Sequence, residues 1–155
     1  MSDITLAAIS LQRRTVGVAI LRKTRIEEIV LRQLSHDLET AQKSTTEFLS
    51  RIMAQQRIEF VAFLKPTETA SERIRSFHQS AVQAVRDAGT PLLEVSAEEL
   101  FASYGHPPLT GWTQLRRVGK DIWPMLNSTP PSINAALLGL HVQVERLIAI
   151  HSQQP

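Results

Sequence analysis

Cysteine is absent from the chain. That excludes a disulfide framework, thiolate zinc sites and a cysteine nucleophile. The six glycines, at 17, 89, 105, 111, 119 and 139, are scattered, so there is no glycine-rich loop to cradle a phosphate. Long apolar runs are lacking too: nothing approaches the roughly 18 uninterrupted apolar residues of a membrane span. The opening MSDITLAAIS has neither the basic flank nor the apolar stretch of a secretory signal. A cytoplasmic setting without a membrane partner is therefore expected. Neither sign of charge dominates, with 17 Lys and Arg against 15 Asp and Glu and a net charge of +2. The pI of about 9.4 notwithstanding, placement of charge matters more here than its total.

What is present fits one globular domain, residues 1–155. The length suffices for a continuous core, and 43% apolar with 21% charged residues is a folded balance. Ile4, Leu6 and Ala8 alternate with Thr5, Ala7 and Ile9 in a first strand. After the polar turn Gln12-Arg13-Arg14, residues Thr15 to Leu21 are apolar on both faces, as in a buried central strand. A short connection, Arg22 to Arg25, leads to a third strand over Ile26 to Leu34. Short turns make these three an antiparallel meander.

A helix is expected from Thr40, its N-cap, to Gln56, with Phe48, Leu49, Ile52 and Met53 on one face. Ile58 to Leu64 reads as a strand ended by Lys65-Pro66, because proline lacks the donor that a central strand needs. A second helix runs from Ala70 to Ala88 with Ile74, Phe77, Ala81 and Val85 inward, closed by Gly89. Leu92 to Val95 is a short strand. Ser96 and Glu99 form a capping box for the helix that ends near Tyr104-Gly105. Two helices remain, Trp112 to Met125 and, capped by Ser132, Ile133 to Ile150 with Ala136, Leu137, Leu140, Val144 and Leu147 inward.

The order β-β-β-α-β-α-β-α-α-α is that of the ribonuclease H-like α/β fold: a mixed five-stranded sheet, three antiparallel strands then two parallel, flanked by helices. Within that group the chain resembles the RuvC-type Holliday-junction resolvases. Ile9-Ser10-Leu11-Gln12 stands where the family's first strand ends in Asp-Pro-Gly, and Gly17 and Ala19 fall where its small residues fall. Phe60 to Leu64 resembles the fourth strand, which carries a glutamate at its end. Asn134-Ala135-Ala136-Leu137 resembles the start of the last helix, normally Asp-Ala-Ala-Asp.

The resemblance implies a site in which carboxylates hold two magnesium ions that clamp a phosphodiester displacement. Here the positions matching those acids are Ser10, Leu64 and Asn134, or Pro131 and Leu137 in neighbouring alignments, and none is a carboxylate. Lys65, beside Leu64, repels a cation. Asp3 lies about 20 Å from Ser10 along the strand. Glu59 begins the fourth strand instead of ending it, and Glu145 is three turns from Asn134. Glu68 is the best substitute, but a single carboxylate does not hold two metals. No catalytic residue, metal or other cofactor is therefore expected.

Arg13 and Arg14 in the first turn, Lys65 at the adjacent strand end, and Arg116, Arg117 and Lys120 on the following helix are the expected phosphate contacts. Their alternative reading is a solvated surface. Trp112 and Trp123 read as helix-packing residues, not stacking platforms. Ser10 lacks the neighbouring base that a nucleophile needs. His36, His78, His106, His141 and His151 lack metal-ligand spacing; His141 reads as a packed residue, and His106 as a loop residue facing the groove.

The leading expectation is a catalytically inactive resolvase-like domain binding DNA or RNA through a basic groove, with a homodimer as a further expected partner state. The alternative is a protein-interaction or scaffold module of the same fold. A nuclease with relocated acids is the third.

Overall fold

The computed structural model describes residues 4–126 and 129–152. Five strands, β1 (Thr5–Leu11), β2 (Thr15–Arg22), β3 (Arg25–Gln33), β4 (Phe60–Leu64) and β5 (Leu92–Val95), form one sheet in the order β3-β2-β1-β4-β5. The helices are α1 (Leu38–Gln55), α2 (Glu72–Asp87), α3 (Ala97–Tyr104), α4 (Trp112–Ile122) and α5 (Pro130–Ser152). β1 runs antiparallel to β2, β2 antiparallel to β3, and β1, β4 and β5 are mutually parallel. Sheet, pairing and element order match the sequence expectation.

The sheet is covered on both faces, which is why the interiors of β1 and β2 carry apolar residues on both sides. Ala7, Ile9, Val16, Val18 and Ile20 face α1 and α2, packing with Phe48, Leu49, Phe63 and Phe77. Leu6, Ala8, Ala19 and Leu21 face the other way, against Leu115 of α4 and Ile133, Ala136 and Leu137 of α5. Phe63 and Phe77 are fully buried, each stabilising the fold by about 1.5–3 kcal/mol relative to exposure. β3 and β5 are the edge strands, and β3 stays largely exposed.

Several element ends differ from expectation. α1 is capped by Asp37, not Thr40: the Asp37 carboxylate accepts from the Thr40 amide at 2.9 Å and the Thr40 hydroxyl at 2.5 Å. β4 begins at Phe60, and α4 stops at Ile122, leaving Met125 exposed. α5 starts at Pro130, with Ser132 buried inside its first turn. Two prolines fit there because a first-turn N–H has no intrahelical partner to lose. Half of the capping box forms: Ser96 Oγ accepts from the Glu99 amide at 3.1 Å, while the Glu99 carboxylate reaches His141 instead.

Val144 and Leu147 are exposed rather than inward; Leu138 and Val142 are buried in their place. Length explains this. The 23 residues of α5 extend about 34 Å, whereas the 7 of β1 cover about 23 Å. Gln143 already reaches the Ile4 carbonyl at the start of β1 (3.4 Å), so the last turns overhang. By length and composition Pro130–Ile150 could cross a membrane, yet its first half is the core helix of this sheet.

Candidate functional site

β1 and β4 are parallel and paired in register, Ile9 opposite Phe63. Their carboxyl ends, Ser10-Leu11 and Leu64-Lys65, therefore emerge together, the place where open α/β sheets form crevices. The third wall comes from α5. Ser10 pairs with Gly17 on β2, and a Cβ on Gly17 would sit 2.6 Å from the Pro131 carbonyl oxygen. The missing side chain lets the first turn of α5 rest on the sheet, which sets Asn134, three residues on, at the same end.

The result is a pocket of about 220 Å³. Ser10, Leu11 and Gln12 line it from β1 and its turn, Leu64 and Lys65 from β4, and Asn134 from α5. Pro66, Thr67 and Ala70 of the β4–α2 loop, Ile74 and His78 of α2, and Trp112 and Arg116 of α4 complete it. Arg75 fixes the loop by donating to the backbone carbonyls of Thr67 (3.2 Å), Glu68 (2.7 Å) and Ala70 (3.4 Å). Arg73 similarly holds the turn after β1. It donates to the carbonyls of Arg13 (3.1 Å), His36 (2.7 Å) and Ser35, with its guanidinium 4.7 Å from the Phe77 ring centre.

Ser10, Leu64 and Asn134, the positions that the sequence resemblance sets against the resolvase acids, thus line one pocket, together with Lys65 and Arg116. Pro131 rests against Gly17 instead, and Leu137 belongs to the core, its carbonyl accepting from the Tyr104 hydroxyl. Arg13 and Arg14 are exposed on the turn that continues from Gln12 but do not line the pocket. Lys120, one turn along α4 from Arg116, is exposed and outside it, as is Arg117.

This donor set does not fit a divalent cation. A hard cation requires several anionic oxygens, whereas the polar side chains lining the pocket are neutral (Ser10, Gln12, Thr67, His78 and Asn134) or cationic (Lys65 and Arg116), without a carboxylate. Glu68 is exposed and absent from the lining. Glu59 precedes β4, and Glu145 is exposed. Asp3 lies outside the described residues. Among the described residues no group of three or more His, Asp or Glu side chains could hold a metal.

The histidines divide. His141 is packed as expected, its Nδ1 2.8 Å from Ser103 Oγ and its Nε2 2.7 Å from Glu99 Oε2, fastening α3 to α5. Ser103, His141 and Glu99 share the connectivity of a hydrolytic triad. Ser103 sits in the last turn of α3, however, where helical backbone presents no pair of free amides to an oxyanion. His106 is exposed and His36 is exposed, neither lining the pocket.

His78, by contrast, lines it. Its Nε2 meets Glu94 Oε1 of β5 at 2.5 Å, its ring packs edge-on against Phe63, and its buried Nδ1 has no partner among the described residues. Among those residues Asn134 Oδ1 is likewise buried without one. The only signal in the sequence for His78 was its spacing of four from Ile74, the other α2 residue on the pocket. Trp112 packs against Phe101 as expected, ring centres 5.1 Å apart, but also faces the pocket.

No protein-family model matches the chain, and no curated protein matches its sequence. Solved structures do match its shape. Thermus thermophilus RuvC in complex with a Holliday junction substrate aligns over 93% of this chain and 96% of its own, at TM-score 0.75 and 11% identity. A second Thermus thermophilus RuvC structure gives TM-score 0.73 at 12% identity, with the same coverage of both chains. The yeast mitochondrial Holliday junction resolvase Ydc2 aligns over 98% of this chain and 86% of its own, at TM-score 0.66 and 7% identity.

Proposed function

Starting from a chain with the RuvC-like, ribonuclease H-like fold, we propose that it is a catalytically inactive resolvase-like domain that binds nucleic acid through the retained pocket. One observation carries the reading. At the end of β1 and β4, where the resolvases it resembles place acids, the side chains are Ser10, Leu64 and Asn134, accompanied by Lys65 and Arg116. Neutral side chains where anionic ligands would stand, with two cations beside them, make a crevice that attracts phosphate directly instead of a metal ion. Arg13, Arg14, Arg117 and Lys120 extend the positive surface on the adjoining turn and helix. A homodimer is part of this reading, as in the sequence expectation.

A second reading, a protein-interaction module, draws on Val144 and Leu147, two large apolar side chains exposed on α5.

Fluorescence anisotropy with a labelled four-way junction, a duplex and a single strand, run in magnesium and in EDTA, separates these. Salt-sensitive binding that is equal in both buffers, with every strand intact on a denaturing gel, is expected. Absence of binding to all three at low salt sinks the nucleic-acid reading and leaves the interaction module. Magnesium-dependent cleavage by the purified protein contradicts the inactive site.

A further inference from the structure

Away from its two cations, the pocket is mostly apolar: Leu11, Leu64, Pro66 and Ile74 line it beside the Trp112 indole. A bare phosphate gains nothing from such walls, which favour another apolar surface. The volume of about 220 Å³ falls below the roughly 300 Å³ at which sites for drug-sized ligands begin, leaving room for one ring system. Two buried polar atoms on lining residues have no hydrogen-bond partner among the described residues, Asn134 Oδ1 and His78 Nδ1, on residues only 4% and 8% exposed. Buried polar atoms are nearly always hydrogen-bonded, so each such orphan calls for an explanation.

We infer that the pocket takes a single unpaired nucleobase, stacked on Trp112 with its polar edge at Asn134 and His78, and with the flanking phosphates on Lys65 and Arg116. This rests on the nucleic-acid reading and adds the form of the ligand. Aromatic stacking supplies affinity that does not depend on base identity, whereas an amide side chain pairs with base edges. A base that is already unpaired spares the cost of extrusion from a duplex. The site therefore favours a bulge, a gap or a single strand over matched duplex, and its ligand is one base with its own backbone, not a double-stranded surface.

The test uses the full chain and three labelled duplexes that differ at one position: fully matched, carrying a one-base bulge, and carrying the same bulge without its base. The base-containing bulge binds about tenfold more tightly than the other two, within the range that base–aromatic stacking supports. Trp112→Leu and Asn134→Leu each bring the bulge close to its abasic counterpart, while Trp112→Phe, which keeps a ring, retains most of the difference. Equal wild-type affinity for the base-containing and abasic bulges overturns the inference and leaves phosphate binding standing. A preference that survives both leucine variants overturns the assignment to this pocket. Failure to bind any of the three duplexes overturns the inference, and failure to bind the junction and the single strand as well removes the nucleic-acid reading.

Discussion

Asn134 is 4% exposed and its Oδ1 has no hydrogen-bond partner among the described residues, a state that costs a folded protein about 1–3 kcal/mol. Asn134→Leu, of similar size, is thus expected to melt no lower than the wild type; a drop of several degrees would mean that the amide is satisfied within the fold. Asp37 gives a pH-dependent counterpart. Hydrogen bonds from the Thr40 hydroxyl and amide, helped by nearby Arg73, hold its carboxyl below the ordinary value. A depressed folded pKa contributes stability that is full above the unfolded pKa, about 3.9, and is lost as pH falls through the folded one. Melting curves of wild type and Asp37→Ala should therefore differ at pH 7 and converge in strong acid. A gap that persists at pH 2 would contradict this. Lys65 and Arg116 were legible in the sequence because strand ends and helix spacing place charge. His78 was not, since its role needs α2, β4 and β5 packed together around it.

At the level of elements, the joint between β2 and α5 governs the site. Gly17→Ala sets a Cβ 2.6 Å from the Pro131 carbonyl oxygen, a backbone atom that can yield only if α5 moves. Overpacking of this kind costs about 1–3 kcal/mol. Chemical denaturation should show that loss, together with weaker nucleic-acid binding as Asn134 shifts; an unchanged midpoint would show that α5 is not seated on Gly17. Strands and helices were readable from apolar periodicity, because burial on one face or two imposes it. Helix starts were less so. Asp37 and Thr40 are both good caps three residues apart, and backbone geometry chose the carboxylate. Ser132 looked like a cap but lies inside the helix that Pro130 opens. The outward turn of Val144 and Leu147 depended on how far α5 outreaches the strands, which periodicity does not encode.

For the whole molecule, the fold survives at 7–12% identity to the resolvase structures. A shared fold at such low identity means that the core is specified by its apolar pattern more than by particular residues. The apolar residues on both faces of β1 build the sheet, while Ser10 near its end lines the pocket. The order of elements and the three converging positions could be read from the chain; the size of the pocket, its apolar wall and its unpartnered atoms emerged only from packing. Because the lining residues do not fit a divalent cation, millimolar manganese should leave the melting temperature where it is. A ligand that binds the native state raises it, so a saturable rise would reveal a metal site.

The most direct measurement is the salt dependence of affinity for a labelled junction, made with wild type and with Lys65→Glu/Arg116→Glu of matched circular dichroism. Each phosphate neutralised adds about 0.9 to the slope of log affinity against log salt. Removing two contacts should flatten the slope by about two and weaken low-salt binding strongly. An unchanged slope and affinity in the double variant would show that nucleic acid, if bound, does not use the pocket lined by Ser10, Leu64 and Asn134.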